Sequence, residues 1–161
     1  MFDDESRDRA IRVWFRLIRL QSRIQSTVAD QLRVLDLSVP QCDVLTTLTE
    51  AEGISQQELA QRLYVTKGNI SGLLDRLERA ELVERRSTAG DRRQYAIYLT
   101  AAGRKTAEQA IALQHTLIAA TLGRLSSTDL AAFESLLVAT RDLLRTYRER
   151  ETARGATAAS V

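Results

Sequence analysis

Residues 65–80 read VTKGNISGLLDRLERA, and they set the terms for the rest of the chain. At about 100° per residue, Ile70, Leu73, Leu74 and Leu77 fall on one side of a helix, at i, i+3, i+4 and i+7. That side demands burial. The opposite side presents Gly68, Asn69, Ser71, Gly72, Asp75, Arg76 and Arg79. A solvated helix face is usually rich in Glu and Lys, and each glycine in a helix costs about 0.5–1 kcal/mol. Small side chains, an amide and two arginines suit a body that comes close and carries negative charge. The major groove of DNA is such a body.

Working outward toward the N-terminus, Tyr64-Val65-Thr66 reads as a turn whose Thr66 caps the helix. Before it, Ser55-Gln56-Gln57-Glu58 has the form of a capping box opening a short helix, QQELAQRL, with Leu59, Ala60 and Leu63 inward. Two short helices joined by a turn, the second with a small polar outer face, make a helix-turn-helix. Further back, Ser38-Val39-Pro40-Gln41 starts another helix, with Pro in its first turn and Val44, Leu45 and Leu48 inward, ending near Gly53. Residues 7–35 contain no Gly or Pro and read as one long helix, with 1–6 frayed. Around Val13–Leu20 its apolar residues run almost all the way round, which suggests a second subunit.

Toward the C-terminus the period changes. Glu81–Arg86 reads as a strand, Ser87–Asp91 as a turn and Tyr95–Leu99 as a second strand. The loop between them holds Asp91, Arg92 and Arg93, giving a basic hairpin, or wing. A long helix follows from Ala101 to about Gly123, with Ala107, Ile111, Leu117 and Ile118 apolar. Ser126–Asp129 restarts a last helix with Leu130, Phe133, Leu137, Leu144 and Tyr147. The Ala- and Thr-rich tail, 151–161, reads as disordered. The predicted fold is mainly α: a single domain, 1–161, with a winged helix-turn-helix at 37–100. The helices at 7–35 and 101–148 serve dimerisation.

Composition narrows the function classes. The 161 residues carry 23 basic and 21 acidic side chains, a net charge of +2 with a pI near 9.0, so nucleic-acid binding has to come from local placement of arginine. The single cysteine, Cys42, excludes an internal disulfide. The polar N-terminus is unlike a secretory signal and no apolar run is long enough for a membrane span, so a cytoplasmic location is expected. No phosphate loop, Gly-x-Ser-x-Gly or metal motif occurs, and His115 has no Cys, Asp or Glu at ligand spacing. Neither an enzyme nor a cofactor or metal is expected.

In their order and spacing these elements resemble the MarR family of bacterial transcriptional regulators. The resemblance rests on Leu37-Ser38-Val39-Pro40-Gln41, Ser55–Ala60, Val65–Ser71 through Leu77-Glu78, Leu82–Arg86, and Asp91-Arg92-Arg93 through Leu99-Thr100. It covers roughly residues 10–148. It implies a two-fold dimer of winged helices that binds a pseudo-palindromic operator in double-stranded DNA. It also implies release by a small phenolic or anionic ligand, or by an oxidant. The helix beginning at Thr66 would be the recognition helix. Asp91 and Arg93 match the family's wing-tip pair, in which Arg enters the minor groove and Asp orients it. One departure stands out: the family usually has glycine where this chain has Glu81. Glycine there would close a helix with φ > 0, so either Glu81 is held in that conformation at a cost on the order of 1 kcal/mol or the helix ends differently.

The residues expected at DNA are therefore Thr66, Lys67, Gly68, Asn69, Ser71, Gly72, Asp75, Arg76, Asp91, Arg92 and Arg93. Asn69 suits adenine, Arg76 guanine or a phosphate, and Thr66, Lys67 and Ser71 phosphates or groove edges. The plainer reading has Arg76, Arg79, Arg85 and Arg86 paired with Glu78, Glu81 and Glu84 on a solvated surface. Winged helices also bind proteins through the same surface, with Arg76 and Arg93 then meeting acidic partners. Trp14 and Arg16, with Arg12 and Arg19 nearby, and Asp43 are offered as a pocket for an aromatic or anionic effector. They read equally as interface packing, solvated arginines and a helix-dipole acid. Cys42 sits in a first helical turn and invites a redox reading, but a small core residue explains it more simply. The expectation is a homodimeric repressor.

Overall fold

Apolar side chains from five helices and the sheet converge on one core. Leu32, Cys42, Val44, Leu45, Leu48, Leu59, Ile70, Leu74, Leu77 and Ile97 are all essentially inaccessible to solvent. The computed structural model describes residues 3–88 and 91–158, apart from the side chains at 88, 91–94 and 155–158. The elements in order are α1 (Asp4–Leu32), α2 (Val39–Glu50), β1 (Ile54–Ser55), α3 (Gln56–Arg62), α4 (Lys67–Arg79), β2 (Val83–Thr88), β3 (Asp91–Leu99), α5 (Ala101–Ala120) and α6 (Ser127–Ala158). The chain divides into two compact units, Met1–His115 and Thr116–Val161. The core lies in the first.

The helix starts are written locally. Ser38 and Gln41 form the complete capping box of α2, with Pro40 in its first turn. Thr66 accepts a hydrogen bond from Asn69 N at 3.3 Å to cap α4. At α3 only half the expected box forms. Ser55 Oγ accepts from Glu58 N at 3.1 Å, but the Glu58 carboxylate turns to Arg62 one turn ahead, at 2.9 Å, where an opposite charge is on offer. α1 begins at Asp4, earlier than the frayed start expected, because Asp3 Oδ1 accepts from Ser6 N at 2.7 Å. A 3-10 turn, Arg33–Leu35, continues it.

Three helical segments end in the same way, and none uses glycine. Asp36 (φ 52°), Tyr64 (φ 54°) and Glu81 (φ 56°) each take the left-handed conformation just beyond a helix end. At each, the next residue's N–H reaches back five residues, as in Leu37 N to Leu32 O, Val65 N to Ala60 O and Leu82 N to Leu77 O. This is the Schellman closure, usually built on glycine. Of the two alternatives at Glu81, the strained one is present.

α5 and α6 depart from expectation at their C-terminal ends. α5 stops at Ala120, and a 3-10 turn at Leu122–Arg124 occupies the stretch that spacing assigns to its last turn. α6 is helical to Ala158, through residues 151–158 of the tail expected to be disordered. Ala, Arg and Glu there are good helix formers, and Arg154 pairs with Glu151 at 3.3 Å. Among the described residues no helix is long and apolar enough to cross a membrane.

The sheet has three antiparallel strands in the order β1-β3-β2. β2 and β3 form the expected hairpin, with Val83 opposite Leu99 and a register shift between Ser87 and Thr88. The short β1 was not anticipated. It pairs Ile54 with Ile97 and Ser55 with Ala96.

Candidate nucleic-acid interface

α4 is held by burial of Ile70, Leu73, Leu74 and Leu77, which fixes the direction of its other face. That face presents Thr66, Lys67, Gly68, Asn69 and Arg76 to solvent, with Ser71, Gly72 and Asp75 partly covered. A Cβ added at Gly68 would meet nothing within 4 Å, and one at Gly72 would meet only the Arg76 guanidinium, at 3.9 Å. Among the described residues nothing requires glycine at either position. Gly103 makes the contrast: a Cβ there would lie 1.8 Å from Leu82 O, so packing of the α5 start on the backbone just before β2 demands glycine. The cost of Gly68 and Gly72 is therefore left without an internal reason.

The charges around α4 sort into two groups. Arg85 of β2 donates to Asp75 Oδ1 at 2.6 Å and also to Glu78, and its side chain is only 18% exposed. Arg85 engages one oxygen of Asp75, whose side chain is still 49% exposed, and so links α4 to the wing strand. Arg86 pairs with Glu84 and lies over the Tyr98 ring, 4.2 Å from the centroid. The ion-paired reading thus holds for Arg85 and Arg86. Among the described residues Lys67 and Arg76 make no ion pair, and Arg79 donates only to the Asp75 carbonyl, at 3.0 Å. Thr66 uses an acceptor lone pair for capping and keeps its hydroxyl proton free to donate.

Asp91, Arg92 and Arg93 lie at the start of β3, but their side chains lie outside the described residues. The base of the wing is well defined. Glu52 accepts from Leu99 N at 3.0 Å and from Arg104 at 2.7 Å, tying the end of α2 to β3 and to α5. Burial alone would raise the Glu52 pKa. The Arg104 hydrogen bond, the Leu99 N–H and the charges of Arg104 and Arg86 outweigh it and lower the pKa. Gly53, at φ 76°, lies so close to Tyr98 that a Cβ would stand 2.8 Å from the phenol oxygen.

The geometry is that of a winged helix-turn-helix, and comparison with known proteins places it further. The family model described as MarR family matches residues 35–94. The transcriptional regulator HosA of Escherichia coli is 33% identical over 113 residues, which cover 70% of this chain and 84% of HosA. The chain belongs to the MarR family. Among solved structures of that family, the S. aureus MepR–DNA complex is 25% identical with a TM-score of 0.76. The match covers 81% of this chain and 97% of MepR. Wild-type apo MarR from E. coli is 29% identical with a TM-score of 0.66, covering 78% and 94%. MarR-family proteins are transcriptional regulators rather than enzymes.

The structure of this MarR-family chain separates the residues offered as an effector pocket. Trp14 and Arg16 are two positions apart on continuous helix, so they point about 200° apart around α1. Asp43 lies on α2 and is exposed as a residue, yet partial burial of its carboxyl raises its pKa. Cys42 is fully buried, and Gln114 Nε2 lies 3.6 Å from its sulfur. Desolvation, with the charge of Asp43 second, raises its thiol to about 11. Such a thiol is protonated at neutral pH and is a packing element rather than a nucleophile. Sequence spacing gave no sign of the Arg85 link, of β1, or of Tyr64. That tyrosine stands 96% exposed in the turn between α3 and α4.

Proposed function

We propose that this chain is a homodimeric regulator that reads a pseudo-palindromic operator in double-stranded DNA, with α4 in the major groove and the wing against the adjacent minor groove. One observation carries the reading. The outer face of α4 keeps two glycines that nothing among the described residues requires, beside a lysine and an arginine without charge partners among the described residues. Gly68 and Gly72 admit the groove edge. Asn69 and Arg76 reach bases, while Thr66, Lys67 and Ser71 reach phosphates or groove edges. By resemblance Arg93, oriented by Asp91, enters the minor groove, with Arg92 beside it. The MepR–DNA complex supports the assignment.

Exposed apolar residues on α1, among them Ile11, Trp14, Phe15 and Ile18, support dimerisation through the terminal helices. The dimer sets the half-sites about 10–10.5 bp or a multiple apart. The role is repression. A small aromatic or anionic effector between the copies releases DNA by favouring a geometry with a different spacing. It shifts that equilibrium only by its differential affinity for the two geometries. Trp14 and Asp43 remain the side chains offered to it; Arg16 points away from Trp14. Selection of bound fragments from genomic DNA tests the reading. A preferred two-fold site is expected, with a steep salt dependence that Arg93→Ala flattens by about one unit. Absence of any preferred site would sink it.

A further inference from the structure

α1 carries a second charged feature that the reading of α4 does not use. Arg9, Arg12, Arg16, Arg19 and Arg23 recur at spacings of three and four and fall within about an 80° arc of the helix. All five are exposed, and they span about 21 Å. The stripe runs opposite the buried flank at Leu32, so it faces away from the core. From residue 9 to residue 29 there is no acid at all. Among the described residues only Arg9 has an ion pair, with Glu5 at 3.7 Å.

This is not the pattern of an ordinary solvated face, where acids alternate with bases at i+3 and i+4. Here each arginine from Arg9 to Arg19 is followed at three or four residues by another arginine, and acids stand only before the row, Glu5 and Asp8 four residues ahead of Arg9 and Arg12. Such a row is mutually repelling, and a polyanion relieves it more fully than dilute salt does. The charge is also segregated. Five arginines and no acid in residues 9–29, against a chain total of +2, leave the other residues at −3. The winged-helix region, residues 37–100, has eight basic side chains against nine acidic ones. The winged-helix region therefore attracts DNA only through its locally placed cations and adds no net positive field of its own.

We propose that the α1 stripe is a second, sequence-independent contact for the phosphate backbone of duplex DNA. The proposal rests on the DNA-binding reading given above. The partner's chemistry follows from the row itself. It is straight, and it repeats every 4.5–6 Å at about 1.5 Å per residue. Over about 21 Å one strand of a duplex offers roughly six phosphates, at about 3.4 Å each. Guanidinium forks pair with phosphate oxygens two at a time. No apolar side chain interrupts the arc, so nothing within it would insert into a bilayer.

The test uses the full-length chain and a quadruple variant, Arg12→Gln, Arg16→Gln, Arg19→Gln and Arg23→Gln. Binding to the selected operator and to a scrambled duplex of equal length is followed by fluorescence anisotropy across a salt series. For the scrambled duplex, the slope of log affinity against log salt should fall by up to about 3.6 for each chain whose stripe engages. The preferred site in a selection should stay the same. Removal of like charges should leave α1 no less helical by circular dichroism. The milder pair Arg16→Gln and Arg19→Gln should lose about half as much slope, and four Arg→Lys changes should keep most of it. An unchanged slope overturns the proposal. So does dissociation of a wild-type dimer caused by the variant, which makes the stripe a subunit contact. Loss of binding to phosphatidylserine vesicles with the DNA slope intact overturns it in favour of a membrane surface. Failure of the operator reading is separate: the wild type would then show no preferred site in the selection, whatever the stripe does to the slope.

Discussion

Replacing Gly72 by alanine should make the protein more stable and a poorer DNA binder. Gly72 sits in the interior of the thirteen-residue α4, where alanine is favoured over glycine by about 1 kcal/mol. The new methyl group has room, since its only close neighbour is a guanidinium at 3.9 Å, an ordinary van der Waals separation. No hydrogen bond or apolar contact is lost. The expected gain is about 0.5–1 kcal/mol, or a Tm higher by about 1–4 °C for a chain of this size. On the DNA side the same methyl enters the space through which a groove edge approaches, and it crowds Arg76. A tenfold loss of operator affinity corresponds to about 1.4 kcal/mol and is the least expected. Urea denaturation and anisotropy titration of one preparation read the two effects side by side. A variant that is more stable yet binds the operator as tightly as wild type refutes the reasoning, because the glycine face would then touch nothing. A variant that is less stable refutes its first half.

Glu81→Gly should raise the urea midpoint by about 1 kcal/mol of stability, since φ 56° is relaxed for glycine and Glu81 has no ion pair among the described residues; a lowered midpoint would show that its side chain holds something in place. Glu52→Gln should destabilise at pH 7. A folded-state pKa lowered from 4.5 contributes stability that is present above that value and lost as pH falls through the folded pKa, so the gap between wild type and variant should close in urea melts as pH is lowered below 4.5. The Cys42 thiol, raised to about 11 and buried, should resist iodoacetamide in the native protein and react fully once unfolded; fast native alkylation followed by mass spectrometry would contradict its packing role.

What could be read in the sequence was what is local. The apolar spacing of α4, the Ser38–Gln41 box and the Thr66 cap each depend on residues within four positions, and each stands as expected. Glu81 announced its own strain because a position that wants glycine held a glutamate. The Asp75 link to Arg85 was not legible because its partner lies ten residues away on another element. β1 is two residues long, too short for any alternation to show. The tail was judged by its low complexity, although Ala, Glu and Arg continue a helix until something stops them. At residues 3–6 a polar run taken as fraying contained a capping aspartate.

That two-residue strand has a mechanical consequence. β1 hydrogen-bonds to the middle of the hairpin and passes without a break into α3, whose seven residues lead by one turn to α4. The Arg85 pairs tie α4 back to β2, and Glu52 ties the end of α2 to β3 and α5. Base reader and wing root are thereby cross-braced at several points and have no loose joint between them. On the proposed reading, an effector would have little leverage to bend one against the other. Its work would fall on the distance between two such stiff bodies in the proposed dimer, so induction should leave hydrogen exchange in the β1–β3 ladder unchanged while altering it in the terminal helices.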